Sequence, residues 1–239
     1  MIDIKTENID IPVKYDQINL KGSIYSSKNT PIKAPFIVNM GGLLEHRESY
    51  LVKYFSEKFA HAGYYVLSYD FRAHGETKKQ TGSRWDKMIP KIFSDIHIVL
   101  EWITSNQSKR LLENRIALFG RSFGGAIVLT HGFIDDRAKL LIALSARYDY
   151  RTTQVKFDKD LIKQISPVHF LKKNPENNNR ILIAHCKDDQ QIPFENLYQI
   201  KEHLGLGDEN VIYFKTGGHS FKSHREEIFK YCLEFLKNL

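Results

Sequence analysis

A serine flanked by glycines lies near the middle of the chain, in the segment IALFGRSFGGAIV at 116–128. Gly120, Ser122 and Gly124 fit the pattern Gly-x-Ser-x-Gly, with an apolar run on either side. This pattern is typical of a sharp turn between a strand and a helix, where small neighbours allow close approach and the serine hydroxyl is exposed. The pentapeptide alone is weak evidence, and a tight turn with an incidental serine is the alternative.

A carboxylate and a histidine follow the serine in chain order. Asp189 lies in CKDDQQIP and His219 in TGGHSF, each directly after an apolar run. A neutral imidazole can take the serine proton and return it to the leaving group, while a carboxylate fixes the imidazole tautomer. We therefore predict Ser122 as nucleophile, His219 as general base and Asp189 as the orienting acid. Asp188 is the alternative acid.

Backbone amides near Ser122 are predicted to stabilise the oxyanion that forms during attack on a carbonyl. One is the N–H of Phe123, which follows the serine at the start of the predicted helix. The other lies in the loop after the first predicted strand of the main sheet, where Gly42 and Leu43 are both candidates.

Short apolar segments alternate with segments of helical periodicity along the chain. The predicted strands are 36–40, 64–70, 115–120, 139–145, 180–185 and 210–215, and the predicted helices are 49–62, 88–103 and 221–236. This alternation predicts an α/β fold with a mostly parallel sheet and helices on both faces. The first 26 residues predict an antiparallel hairpin with a polar turn near 16–19, giving about eight strands. Residues that follow the strands should meet at one edge of the sheet.

Composition excludes several classes of protein. The chain has 239 residues, 42% of them hydrophobic and 26% charged, which is typical of a globular domain. Its net charge of +7 comes from scattered basic residues, so we expect no nucleic-acid partner. No apolar run reaches the roughly 18 residues of a membrane span, and the polar start has no signal-peptide pattern. Cys186 and Cys232 are too far apart for a metal pair and predict buried free thiols in the cytoplasm. We expect no cofactor and no metal, and a homodimer is left open.

The motifs together resemble the α/β-hydrolase superfamily, in its branch of small esterases, acylglycerol lipase-like enzymes and serine aminopeptidases. The matching segments cover nearly the whole chain: MGG at 40–42, DFRAHGET at 70–77, GRSFGG at 120–125, HCKDDQQIP at 185–193 and GGHSF at 217–221. The resemblance implies an α/β-hydrolase fold. It favours Asp189 over Asp188 as the acid and leaves Asp149, after the predicted strand 139–145, as a reserve candidate. It also favours the Gly42 amide over that of Leu43 as the second oxyanion donor. Met40 departs from the usual histidine and Ala73 from the usual glycine.

Two other polar residues near these motifs need interpretation. His74 has the residue type of a catalytic base, but the resemblance gives its loop a structural role. Asp70 and Arg72 of that loop are expected to form internal ion pairs or hydrogen bonds. Arg121, beside the predicted nucleophile, is expected to be packed or ion-paired, with contact to an anionic substrate as the alternative.

The predicted organisation is one domain over 1–239 with a small cap insertion at about 146–179. Phe157, Leu161 and Ile165 of the insertion have helical spacing and either line the substrate pocket or pack the helix onto the body. A small cap favours an open site, so the leading hypothesis is a serine carboxylesterase that cleaves short- to medium-chain acyl esters through an acyl-enzyme. The alternatives are an acyl thioesterase, a small aminopeptidase or dipeptidyl-peptidase-like enzyme, and, in a different class, a non-catalytic binding protein of the same fold.

Overall fold

One eight-stranded sheet organises the chain in the computed structural model, which describes residues 4–153 and 155–239. The strands are β1 (Ile4–Val13), β2 (Ile18–Ser27), β3 (Ala34–Met40), β4 (Tyr65–Tyr69), β5 (Leu111–Arg121), β6 (Ala138–Leu144), β7 (Ile181–Cys186) and β8 (Val211–Phe214). Their order in the sheet is β1-β2-β4-β3-β5-β6-β7-β8. β1 pairs antiparallel with β2, and β2 with β4, whereas all other neighbours are parallel. The predicted fold class, with its antiparallel hairpin, is confirmed.

Helices cover both faces of this sheet. They are α1 (Tyr50–His61), α2 (Lys78–Thr81), α3 (Ile89–Asn106), α4 (Phe123–Ile127), α5 (Lys159–Ile165), α6 (Asn177–Arg180), α7 (Glu195–Leu204) and α8 (Arg225–Phe235). Apolar side chains of α1 and α8 belong to one buried cluster, and those of α3, α4 and α7 to another. Because both faces are covered, an interior strand such as β7 has all six residues buried, which explains why its sequence is apolar except for His185. Within residues 4–153 and 155–239 no helix is long and apolar enough to cross a bilayer.

The segment predicted as a cap contains α5, α6 and two short 3₁₀ turns. Ile165 is fully buried in the main apolar cluster, and Phe157 and Leu161 pack against the same cluster. These contacts favour the interpretation that the three residues pack the helix onto the body. Gln154 of this segment and residues 1–3 of the predicted domain lie outside the described residues, and the action of the segment as a cap stays a prediction.

The hairpin and α7 differ from the sequence expectation. A 3₁₀ turn at Lys14–Asp16 and a left-handed Gln17 (φ 55°) connect β1 and β2, so β2 already begins at Ile18, inside the predicted turn. The sequence periodicity does not predict α7. Its sequence ENLYQIKEHL is mostly polar, and the apolar side chains that it buries, Leu197, Ile200 and Leu204, form only a narrow stripe.

Candidate active site

Ser122 occupies the tight turn between β5 and α4. Its backbone has φ 58° and ψ −114°, a conformation that is costly for a residue with a side chain and that clusters at functional sites. The Ser122 N–H donates to the carbonyl of Leu144 at 2.8 Å, which ties the turn to β6. A side chain on Gly120 would collide with the Gly124 carbonyl, and one on Gly124 would collide with the Met40 carbonyl. Both glycines are therefore required by close backbone approach, as the motif predicts.

His219 and Asp189 form a hydrogen-bonded pair in the loops after β8 and β7. The His219 Nδ1–H donates to Asp189 Oδ2 at 2.8 Å. Because the carboxylate accepts at Nδ1, the neutral ring has its lone pair on Nε2. The other carboxylate oxygen, Oδ1, accepts the N–H groups of Gln191 and Ile192 at 2.9 and 3.0 Å. The carboxylate is thus held on both of its oxygens.

A second imidazole supports the same carboxylate. His185 Nε2 lies 3.2 Å from Asp189 Oδ2 and 2.9 Å from the Ile192 carbonyl oxygen, and the His185 side chain is 1% exposed. Burial by itself raises the pKa of Asp189, but the hydrogen bonds from His185, His219 and the Ile192 N–H outweigh it and hold that pKa well below its ordinary value. Asp189 is therefore a carboxylate at neutral pH.

Of the three candidate acids, Asp189 alone contacts His219. Asp188 accepts the N–H groups of Gly217 and Gly218 at 3.1 and 2.8 Å, so it supports the loop that presents the histidine. Asp149 is bonded to Arg151 instead. The structure thus brings the motif's preferred acid, and not its neighbour, to the imidazole.

Ser122 and His219 line the same open cavity of about 1160 Å³. Most of its lining is polar, and Leu43 and Leu51 are its apolar side chains. Phe157, Leu161 and Ile165 do not line it. No hydrogen bond to the Ser122 hydroxyl is formed within the described part of the chain; in apo enzymes such bonds are often long and tighten only with substrate bound.

The two predicted oxyanion donors lie next to the serine. Phe123 follows it directly as the first residue of α4. Gly42 is so close that a Cβ on it would lie 3.5 Å from Ser122 Cβ. However, the Gly42 N–H already donates to Glu45 Oε2 at 2.5 Å. In the described residues the N–H groups of Phe123 and Leu43 have no acceptor. The Leu43 amide is therefore free to donate to an oxyanion, whereas the Gly42 amide is already hydrogen-bonded.

Arg121 is paired with the same carboxylate. Its Nη2 lies 2.6 Å from Glu45 Oε2, and its Nη1 donates weakly to the His219 carbonyl at 3.4 Å. The expectation of an ion pair at Arg121 is confirmed. The pair links the loop after β3, the serine turn and the histidine loop.

The loop after β4 is filled with internal pairs. Arg47 donates to Asp70 at 2.6 Å and also bonds Glu76. Arg72 donates to both oxygens of the buried Asp95 at 2.7 and 2.8 Å. These contacts confirm the ion pairs expected for Asp70 and Arg72.

His74 belongs to the same loop and has a structural contact. It is 3% exposed and its Nδ1–H donates to the Arg72 carbonyl at 2.7 Å. Burial lowers the pKa of His74. His74 is not among the residues that line the Ser122 cavity, in agreement with the structural role that the resemblance implies.

Sequence reasoning assigned no role to two residues of this site. His185 opens the motif HCKDDQQIP, and its position four residues before Asp189 was an available signal. Glu45 stands in the polar segment EHRES, where nothing distinguishes it from a solvated surface acid. Its contacts depend on the three-dimensional approach of two loops. The described residues contain no cluster of three or more His, Cys, Asp or Glu suited to a metal ion.

Comparison with known proteins places this chain in a family of hydrolases. A family model described as serine aminopeptidase, S33, matches residues 33–191. The quorum-quenching protein AidA of Acinetobacter baumannii is 31% identical over 139 residues, which are 56% of this chain but only 42% of AidA. The chain thus spans less than half the length of that relative.

Solved structures show the same fold over nearly the whole chain. Est1E from Butyrivibrio proteoclasticus, solved with bound ferulic acid, superposes with a TM-score of 0.80 over 96% of this chain and 98% of Est1E, at 20% identity. The acylaminoacyl peptidase of Pyrococcus horikoshii superposes with a TM-score of 0.76 over 98% of this chain and 41% of that protein, at 19% identity.

Proposed function

Because the chain belongs to the serine aminopeptidase (S33) family of α/β-hydrolases, we propose that it is a serine carboxylesterase that cleaves short- to medium-chain acyl esters through an acyl-enzyme. The observation that carries the proposal is the bonded His219–Asp189 pair on one cavity with the strained Ser122. An open, mostly polar cavity suits small acyl groups better than long lipid chains. Est1E, which holds ferulic acid, offers a precedent for a small carboxylic acid on this fold.

In the proposed mechanism His219 acts first as a base and then as an acid in each half-reaction. Ser122 Oγ attacks the ester carbonyl carbon as His219 Nε2 takes its proton, and Asp189 stabilises the imidazolium. The C–O bond breaks as His219 returns the proton to the leaving alcohol, giving the acyl-enzyme. Water then attacks with His219 as base, and the carboxylic acid leaves as Ser122 regains its proton. The oxyanion is bound by the Phe123 N–H and by a second amide, that of Gly42 once Glu45 releases it or that of Leu43.

Thioesters and amides are the alternative substrates, because the same groups serve all three acyl transfers. The family description and the acylaminoacyl peptidase likeness favour a peptidase as the second candidate. A non-catalytic binding protein is disfavoured because Ser122 and His219 line one cavity and Asp189 is hydrogen-bonded to His219. We propose the cytoplasm as its location on the strength of two buried free thiols, Cys186 and Cys232.

Fluorophosphonate labelling tests the nucleophile. We expect the wild type and the control Ser94→Ala, an α3 residue outside the cavity, to label, and Ser122→Ala not to label. Hydrolysis of p-nitrophenyl esters from C2 to C16, beside acyl-CoA and aminoacyl amides, then assigns the substrate class. We expect the highest kcat/KM for short to medium esters. Equal labelling of wild type and Ser122→Ala would refute the nucleophile, and faster amide than ester turnover would favour the peptidase.

A further inference from the structure

One carboxylate oxygen of Glu45 contacts both the Gly42 N–H and the Arg121 guanidinium beside Ser122. Glu45 Oε2 accepts the Gly42 N–H at 2.5 Å and lies 2.6 Å from Arg121 Nη2. A Cβ on Gly42 would be in van der Waals contact with Ser122, and Arg121 precedes Ser122 in the chain. An internal anion therefore sits where an amide donor and a guanidinium converge next to the nucleophile.

The Arg121 side chain is built into the site and is not fully used. It is 9% exposed, and the Glu45 side chain is 22% exposed. Two of the five N–H donors of the Arg121 guanidinium have acceptors, namely Glu45 and the His219 carbonyl. Arg121 also lines the cavity. A planar guanidinium with free donors matches the geometry of a carboxylate.

The other charges of the cavity favour an anion as well. Asp188, the second acid of the lining, already accepts two backbone N–H groups. Lys222 is exposed at the cavity and forms no ion pair among the described residues. Once Glu45 is displaced, the lining offers two cations and one acid that is already hydrogen-bonded.

We propose that Arg121 selects esters that carry a carboxylate, and that this carboxylate replaces Glu45 on the Arg121 guanidinium. The inference rests on the proposed serine esterase function. As Glu45 moves toward solvent, the Gly42 N–H is released and can donate to the oxyanion. A neutral ester cannot take the place of Glu45 without leaving Arg121 buried and unpaired, which is costly. Arg121 thus determines specificity, and Glu45 positions it and occupies Gly42 in the absence of such a substrate.

Paired substrates test this selectivity on the wild type. On the acyl side the pair is 4-nitrophenyl hemiadipate and its neutral methyl ester, and on the alcohol side 3-acetoxybenzoate and its methyl ester. We expect kcat/KM to favour the charged member of at least one pair by about tenfold, as for a charge-assisted hydrogen bond. The favoured pair tells which side of the ester meets Arg121. No preference in either pair would overturn the proposal.

Three variants separate selectivity from a structural role. Arg121→Gln should reduce the preference to near unity by slowing the charged ester. Glu45→Gln, which keeps an oxygen beside the Gly42 N–H, should speed the neutral ester several-fold because a neutral acceptor binds that amide and Arg121 less strongly. The control Arg84→Gln removes an exposed ion pair with Asp86 and should leave both rates unchanged. Equal slowing of both esters by Glu45→Gln would overturn the proposal and leave Glu45 as a loop support.

Failure of this inference and failure of the esterase function give different results. If the wild type is labelled by fluorophosphonate at Ser122 but shows no charge preference, the specificity proposal alone is wrong. If Ser122 is not labelled and neither ester of any pair is hydrolysed, the esterase function is wrong.

Discussion

In the described residues, two histidine–aspartate pairs bond through Nδ1 with nearly the same geometry. His219 Nδ1 lies 2.8 Å from Asp189 Oδ2, and His97 Nδ1 lies 2.7 Å from Asp135 Oδ2. Both carboxylates are buried, with side chains 0% and 6% exposed. Both pairs join residues more than 25 positions apart in sequence. Distance and burial at the carboxylate therefore do not distinguish them.

The second ring nitrogen distinguishes the two pairs. His97 Nε2 lies 3.1 Å from His131 Nδ1, and His131 Nε2 lies 3.3 Å from the Gln164 carbonyl oxygen. All four ring nitrogens of His97 and His131 therefore have partners within the protein. The His219 ring instead lines an open cavity together with Ser122. A histidine–aspartate pair can act as a catalytic base only where the second ring nitrogen can reach a nucleophile.

Replacing each aspartate by asparagine should give the largest difference between the two pairs in ester kcat. Asp189→Asn should lower ester kcat by about 10⁴, because the amide no longer fixes the His219 tautomer. Asp135→Asn should leave kcat within about twofold while lowering the free energy of unfolding by about 1–3 kcal/mol, since Asp135 also accepts from the Arg137 side chain at 2.7 Å. Ester kinetics and urea unfolding of both variants measure this. A large loss of kcat in Asp135→Asn with unchanged stability would contradict the comparison.

The difference between the pairs also marks what sequence could predict. Parallel strands covered on both faces are mostly apolar, so the sheet is predictable from sequence. Ser122, Asp189 and His219 each lie in a known motif in the connection that follows a strand. The His97–Asp135 pair has no such signal, because a helix and a distant loop come together only through packing. Glu45 was unpredictable for the same reason, since its acceptor role depends on where the Gly42 and Arg121 loops meet.

Acid should weaken the fold before it discharges either aspartate. Burial, together with the nearby charge of His97, lowers the pKa of His131, and burial lowers that of His74, so the folded state resists their protonation. The unfolded chain then binds more protons, and the free energy of unfolding should fall as pH drops below about 6.5, by at most about 1.4 kcal/mol per pH unit for each group. Urea unfolding from pH 8 to 5 measures this slope.

The variant His131→Asn tests how much of the pH dependence of unfolding comes from the half-buried His131 ring, which bonds to His97. It should flatten the pH dependence of the free energy of unfolding and leave ester kcat at neutral pH within about twofold. An unchanged slope in His131→Asn would show that its ring does not contribute.

The two aspartates lose their charge only in stronger acid. The pKa values of Asp189 and Asp135 are held below the ordinary carboxyl range, so their stabilising charge is present above about pH 4 and is lost only at lower pH.

The smallest effect is expected at Asp149, the reserve acid after β6. Burial alone raises its pKa, but hydrogen bonds from Arg151 outweigh it and lower the pKa, so Asp149 is charged and satisfied by a neighbour that is 63% exposed. In Asp149→Asn the side-chain oxygen can still accept the Arg151 N–H that it caps at 2.8 Å. The loss of an ion pair whose cation is exposed should then cost less than about 1 kcal/mol, with ester kcat within about twofold of wild type. Asp189→Asn removes one negative charge after β7, and Asp149→Asn removes one after the neighbouring β6. A loss of kcat in Asp149→Asn comparable to that in Asp189→Asn would show that Asp149, and not Asp189, is the orienting acid.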